Sequence, residues 1–480
     1  VSTDTRPADR TGRTDGTRLG VVALTGVVVG SMVGAGIFSI PQNMAAGPAA
    51  PGALLVGWAV TGVGMLALAL TFQFLGRRAA DTHGGLYGYA RDGFGPMPAT
   101  LVAWGYWISA WLGDLAYLVL IFSTLGLFWE VFGDGTTWVS TLGGTVVLWG
   151  YAALLLRGVR EASAVNVVVT VAKLVPILVF LVVGVMAFDP AVFTVDLWGR
   201  QEDLGPVFDQ VRAMMLVTVW AFLGIEGATV FARRARRDGD VGRATVMGFA
   251  LVLTLLVAVN LLAAGILTRP ELTDLQDPSL AGVLEAVVGR WGAVLISVGL
   301  LVSVGGAFLA WQLLCAEILA STARAGGLPR MLGEEPRPGV PRRAILLTTA
   351  VLQVALVWAH FRGAAYYDVI LMSGSMMLVP YLVSSLYALR LAARGGGGGG
   401  TAVVFTGVST VYALWLLYAG GLSYLLMSSV FYAVGLVAHA WTRREQGRPV
   451  LRGWEVALAA GIVVAAGWAA VGLLTGGLQV

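Results

Sequence analysis

The chain has one lysine, Lys173, set in the apolar run VNVVVTVAKLVPILVF, while its other Lys/Arg positions are all arginine. An ammonium at the centre of a membrane helix costs roughly 2.5–3.5 kcal/mol on insertion scales, so it must pair, snorkel or give up its proton. Such a group suits proton coupling, or a built-in cation at a place that would otherwise hold sodium. A permanently charged, structurally paired lysine is the alternative. Three acids lie in comparable runs: Asp114 in SAWLGDLAYLV, Glu226 in FLGIEG and Glu317 in LLCAEIL. Asp114 falls halfway along its run and can face a cationic ligand side chain. Glu226 can pair with Lys173 or carry a proton. Glu317, nearer a helix end, suits a gate or an interface. Of the tryptophans, most of which belong to interfacial belts and packing, Trp220 and Trp311 fall at matching depth. An indole face there can cap a ligand and attract a guanidinium or ammonium.

Two segments near these residues resist continuous helix. One reads Gly30-Ser31-Met32-Val33-Gly34-Ala35-Gly36-Ile37-Phe38 and runs on to Pro41; the other reads Trp220-Ala221-Phe222-Leu223-Gly224-Ile225-Glu226-Gly227. Glycine is about 1 kcal/mol worse than alanine inside a helix. Backbone freed from helix at membrane depth is tolerated only against protein or a wet cavity. Its loose N–H groups suit a carboxylate and its loose carbonyls an ammonium. Gly30 and Gly34 also form GxxxG, a packing device, so one such segment alone is ambiguous. Two of them, five spans apart as an inverted repeat requires, point to a transporter.

The elements that must position these groups are membrane helices. The 480 residues are 57% hydrophobic and 12% charged, with mean hydropathy +0.81, which excludes a soluble chain. A bilayer core of about 30 Å takes roughly 20 helical residues. Apolar runs of that size lie at 19–46, 52–76, 98–128, 138–156, 162–187, 210–232, 244–267, 290–322, 344–360, 367–391, 402–418, 421–441 and 455–476, about 13 transmembrane helices. The net charge of +4 comes from arginines in alternate short loops, at Arg77, Arg78 and Arg91, Arg157 and Arg160, Arg233 to Arg243, Arg330 to Arg343, Arg390 and Arg394, and Arg443 to Arg452. The intervening loops carry acids such as Glu130, Asp134, Asp189, Asp196, Glu271, Asp274 and Asp277. By the positive-inside bias the N-terminus is cytoplasmic, in the plasma (cell inner) membrane. Residues 1–18 read as a disordered cytoplasmic tail without the apolar core of a signal peptide.

Other classes fit poorly. One cysteine, Cys315, and three scattered histidines, His83, His360 and His439, offer no disulfide framework or zinc cluster, and no cofactor is expected. An intramembrane enzyme would need a nucleophile with a base, or a metal, at depth; no HExxH motif is present. The lysine is followed by Leu174, which excludes a phosphate-binding loop. No repeated filter segment suggests a channel. The basic balance belongs to a membrane face, not to nucleic acid.

GSMVGAGIFSIP in span 1, HGGLYGYARDGFGP after span 2, and VWAFLGIEGATVFARRARRDGDVGRATVMGF across spans 6 and 7 resemble the amino acid–polyamine–organocation (APC) superfamily. The later stretches GILTRPELTDLQDPSLAGVLEAVVG, MLVPYLVSSLYALRLA and GLSYLLMSSVFYAVGLVAHAWTRREQ are similar to its basic amino acid/polyamine antiporter branch, with arginine–ornithine antiporters and lysine permeases. The resemblance covers nearly the whole chain from about residue 19.

It implies an all-α integral membrane protein of LeuT-like (APC) fold, a 5+5 inverted repeat with unwound helices 1 and 6, working by alternating access. The core would be 19–392, with a Gly-rich cytoplasmic linker at 393–401 and peripheral helices 11–13 at 402–480. Carried over by motif, Met32, Val33, Gly34, Ala35 and Gly36 line the first break and meet a substrate carboxylate. Trp220 and Leu223 stand at the second break, and Trp311 falls near the substrate side chain. Glu226 stands at a position proposed for proton sensing and gating, and Lys173 matches the helix 5 lysine of sodium-independent relatives. Asp114 departs from the asparagine of arginine–agmatine antiporters. The implied function is exchange of cationic amino acids, arginine for ornithine or lysine. The alternative is a proton-coupled amino acid importer with Lys173 or Glu226 as the proton site. Partners are amino acid substrates and the lipid bilayer, with a homodimer left open.

Overall fold

The computed structural model describes residues 20–78, 85–158, 163–227, 238–337, 339–363, 366–395 and 399–475. The expected tail at 1–18, His83, Arg160, Arg233 to Arg237 and the end of span 6 at 228–232 lie outside the described residues. Among the described residues no strand occurs beyond one isolated bridge between Arg337 and Val340.

The helices, in chain order, are α1 Val21–Met32, α2 Gly36–Ala46, α3 Pro51–Arg78, α4 Leu86–Phe94, α5 Pro96–Gly126, α6 Trp138–Leu156, α7 Ser163–Ala187, α8 Pro190–Thr194 and α9 Val207–Ala221. They continue as α10 Asp238–Ala264, α11 Arg269–Thr273, α12 Ser279–Val288, α13 Arg290–Arg324, α14 Arg342–Arg362, α15 Tyr366–Ala393, α16 Gly399–Ala419, α17 Gly421–Glu445 and α18 Trp454–Leu474. Eleven helices among the described residues are long and apolar enough to cross a membrane. Spans 1 and 6 are not among them, because each comes in pieces. The apolar run at 402–418 extends to a full helix that starts at Gly399; residues 396–398 lie outside the described residues.

Local signals set the ends. Proline opens α3 and α5, where its missing N–H would have had no helical partner. Gly363 closes α14 in the left-handed region at φ 60°. The short helices α4, α8, α11 and α12 fall in stretches that hydropathy alone assigns to loops, because none is long enough to span a bilayer. The inward face of α4 is nonetheless fixed by buried Leu86, Tyr87 and Tyr89.

Burial ranks the spans. In its most apolar window α5 is 89% buried and α18 only 11%, so α5 is the axis and α18 faces outward. α13 and α15 pack along α5, α1 along α10, and α2 against α9, α10, α11 and α12. The two interrupted spans therefore meet beside the most enclosed helix of the molecule.

Candidate functional site

The first break lies between α1 and α2. Val33 leaves helical geometry at φ −75°, ψ 88°, and the N–H of Gly34 donates to the Met32 carbonyl at 2.9 Å instead of reaching back to Gly30. That frees the Gly30 carbonyl, and the Val33 carbonyl next to it. The Nζ of Lys173, buried on α7, donates to Gly30 O at 2.9 Å and to Val33 O at 3.0 Å. Carbonyl oxygens at membrane depth need donors, and an ammonium supplies three.

The second break follows α9. Phe222 departs from helix at φ −108°, ψ 7°, and Gly224 takes φ 101°, a conformation that only glycine adopts without strain. The Gly224 N–H donates to Glu226 Oε2 at 3.2 Å, and the Tyr381 hydroxyl of α15 donates to the same oxygen at 3.2 Å. The Tyr106 hydroxyl of α5 is a further partner of this carboxylate. Glu226 thus ties the second break to two neighbouring helices.

Between the breaks lies a cavity of about 20 Å³. That is room for about one water, so an amino acid could enter only if the walls move. Met32, Gly34, Ala35 and Gly36 form one wall, and Trp220, Ala221 and Leu223 the facing one. Ser109, Gly113 and Tyr117 of α5 and Trp311 of α13 complete it. Glycines bring the walls close: a Cβ on Gly36 would stand 3.2 Å from the Trp220 indole nitrogen, one on Gly113 3.2 Å from its ring, and one on Gly34 3.2 Å from the Tyr117 hydroxyl. On its other side the Trp220 Nε1 donates to the Tyr366 hydroxyl at 3.2 Å.

Of the residues singled out in the sequence, Met32, Gly34, Ala35, Gly36, Trp220, Leu223 and Trp311 converge on this cavity. Val33 contributes its carbonyl to Lys173 rather than a wall. Asp114 is adjacent to the cavity but not on it: it is fully buried between α5 and α13, where the Cys315 thiol donates to Oδ2 at 3.8 Å and Oδ1 has no partner. The residue before it, Gly113, faces the cavity, because 100° of helical rotation separates neighbours. Glu317 is half exposed and ion-paired with Arg324, an interfacial place. Sequence reading missed Ser109, Gly113 and Tyr117, although their spacing of four marks one helix face. It also missed Tyr106, Tyr366 and Tyr381, which carry no charge to flag them.

Eleven long apolar helices among the described residues, with an internal cavity between two interrupted spans, define a multi-pass membrane protein. A family model described as amino acid permease matches residues 19–476, and the chain belongs to that family. It is 50% identical to an arginine/ornithine antiporter of Pseudomonas aeruginosa, covering 96% of this chain and 97% of that one. An L-lysine transport protein of Corynebacterium glutamicum is 40% identical over 95% of each chain. An arginine/agmatine antiporter of Chlamydia pneumoniae is 39% identical, with 87% and 88% covered.

Proposed function

We propose that the protein is a secondary antiporter that exchanges cationic amino acids, arginine for ornithine or lysine, by alternating access. The reading takes the fold as a LeuT-like 5+5 inverted repeat of thirteen spans, with α1 plus α2 as span 1, α9 and the turn after it as span 6, and the N-terminus cytoplasmic. The observation that carries it is the cavity held between two interrupted helices at membrane depth. Three relatives bearing cationic amino acid names, aligned over most of the chain, support the choice of substrate.

In this reading the loose N–H groups around Gly34 to Gly36 receive the substrate carboxylate. Trp220 and Trp311 cover its aliphatic stem and attract the cationic end. Asp114, one residue behind the wall, biases the site toward positive charge without touching the ligand. Lys173 stands where a sodium ion would otherwise bridge the carbonyls of the first break, so exchange proceeds without sodium. Glu226 and Tyr381 fasten the second break on the cytoplasmic side. A loaded carrier must reorient far more readily than an empty one, and the two substrate gradients then drive the exchange.

The test is uptake of labelled arginine into proteoliposomes preloaded with ornithine, with buffer, or under an imposed pH gradient. Uptake confined to ornithine-loaded vesicles is expected. Uptake driven by external acid alone would replace exchange with proton import, and a sodium requirement would overturn the place given to Lys173.

A further inference from the structure

One partly exposed acid whose Oδ1 is sealed from solvent has no part in the exchange cycle above. Asp277 lies in the segment between α11 and α12. The segment is held in place: the Ser123 hydroxyl of α5 donates to the Asp277 carbonyl at 2.6 Å, and the Gln276 side-chain amide donates to Ser123 O at 3.1 Å and Gly133 O at 2.8 Å. On the other flank the Gln42 N–H of α2 donates to the Ser279 hydroxyl at 3.1 Å. With the Asp277 carbonyl and the Gln276 and Ser279 side chains held in this way, the carboxyl lies near α2 and the start of α15. It stands against the Ser39 hydroxyl and the Ser279 N–H, and the Tyr366 phenol is close enough to feel its charge. The residue is partly exposed, yet Oδ1 is sealed from solvent without a hydrogen-bond partner.

The charged residues of the elements around it are acidic. α2 carries no charged residue, α12 carries Glu285, the first turn of α15 carries Asp368, α5 carries Asp114, and Asp274 shares the same loop. Arg269 of α11 is ion-paired with Glu202, and Arg290 lies beyond the far end of α12. A carboxyl with a vacant buried oxygen, hydroxyl neighbours and no ion pair among the described residues is a receptor for a cation. A path leads inward from it: the Tyr366 phenol feels the Asp277 charge, Tyr366 accepts from Trp220, and Trp220 is the cavity wall.

We propose that Asp277 is the outer recognition group of the external entrance, its carboxylate receiving the guanidinium or ammonium end of the incoming substrate before Tyr366 and Trp220 give way. This rests on the reading of the cavity as a site for cationic amino acids. Burial pushes the carboxyl up to about 7, so the shut entrance holds it as a neutral acid at acidic pH. A raised carboxylate pKa favours the shut form at low pH, and that preference fades as pH climbs through about 7. Recognition by Asp277 is therefore strongest with the outside alkaline and is lost as the outside is acidified.

The experiment measures arginine KM separately from each face of oriented proteoliposomes, for wild type and Asp277→Asn. The variant is expected to raise the external KM about fivefold and flatten its dependence on salt, as rim charges do, with the internal KM unchanged. The unchanged internal KM also certifies that the variant folds. In wild type the external KM is expected to rise as external pH falls through about 7 while the internal one stays flat, an arm that needs no variant. An external KM indifferent to both Asp277→Asn and external pH overturns the proposal, as does an equal rise on both faces. Wild-type protein that exchanges no cationic amino acid overturns the reading of the cavity, and this proposal with it.

Discussion

The Nζ of Lys173 donates to the main-chain carbonyl of Val33 at 3.0 Å, joining the chain's one lysine to the place where its first membrane helix comes apart. With Gly30 O at 2.9 Å, the ammonium caps two carbonyls that the break leaves without helical partners. A single side chain thereby holds the interrupted segment open against α7.

Lys173→Ala removes two charge-assisted bonds, each worth about 1.5–3 kcal/mol. Arginine–ornithine exchange in proteoliposomes is expected to fall at least tenfold, with membrane expression retained. Sodium, which carbonyl oxygens also accept, should restore part of the rate in the variant and none in wild type. Wild-type exchange by the variant would remove the cation from the mechanism.

Gly113→Ala places a methyl 3.2 Å from the Trp220 ring. Overpacking of this kind costs about 1–3 kcal/mol, and Trp220 can give only toward the cavity or Tyr366. Substrate affinity, read by scintillation proximity, should weaken about tenfold. Unaltered affinity would show that Trp220 does not border the ligand.

Asp114→Asn keeps the shape and removes the acid behind the wall. Competition assays are expected to show weaker binding of arginine and ornithine, with neutral amino acids little affected. Equal losses for both classes would mean the carboxyl serves packing with Cys315 rather than selection by charge.

Tyr381→Phe deletes the hydroxyl that donates to Glu226 at 3.2 Å. Loss of one such bond is worth about 1–3 kcal/mol, taken from the state in which the second break is fastened. Labelling of a cysteine introduced on the cytoplasmic side of the cavity, in a Cys315→Ser background, should speed up in the variant. Unchanged labelling would remove this bond from the gate.

The membrane spans were legible because transfer from water to lipid acts on composition: runs such as 138–156 and 162–187 return almost unchanged as α6 and α7. Both interruptions were legible for a related reason, since glycine weakens helix wherever it stands. α4 and α12 were not, because a helix shorter than the bilayer leaves no hydropathy signal of its own.

What the sequence determined alone is thus the apolarity of the long helices, where two of the spans fail, and that a lysine lies among them. Only the tertiary structure decided which atoms meet. It turned Gly113 rather than Asp114 toward the cavity, set Lys173 on the carbonyls of Gly30 and Val33, and brought Tyr366 and Asp277 together from segments about ninety residues apart. Hydropathy is read one residue at a time, whereas facing and contact depend on helix rotation and on partners far along the chain.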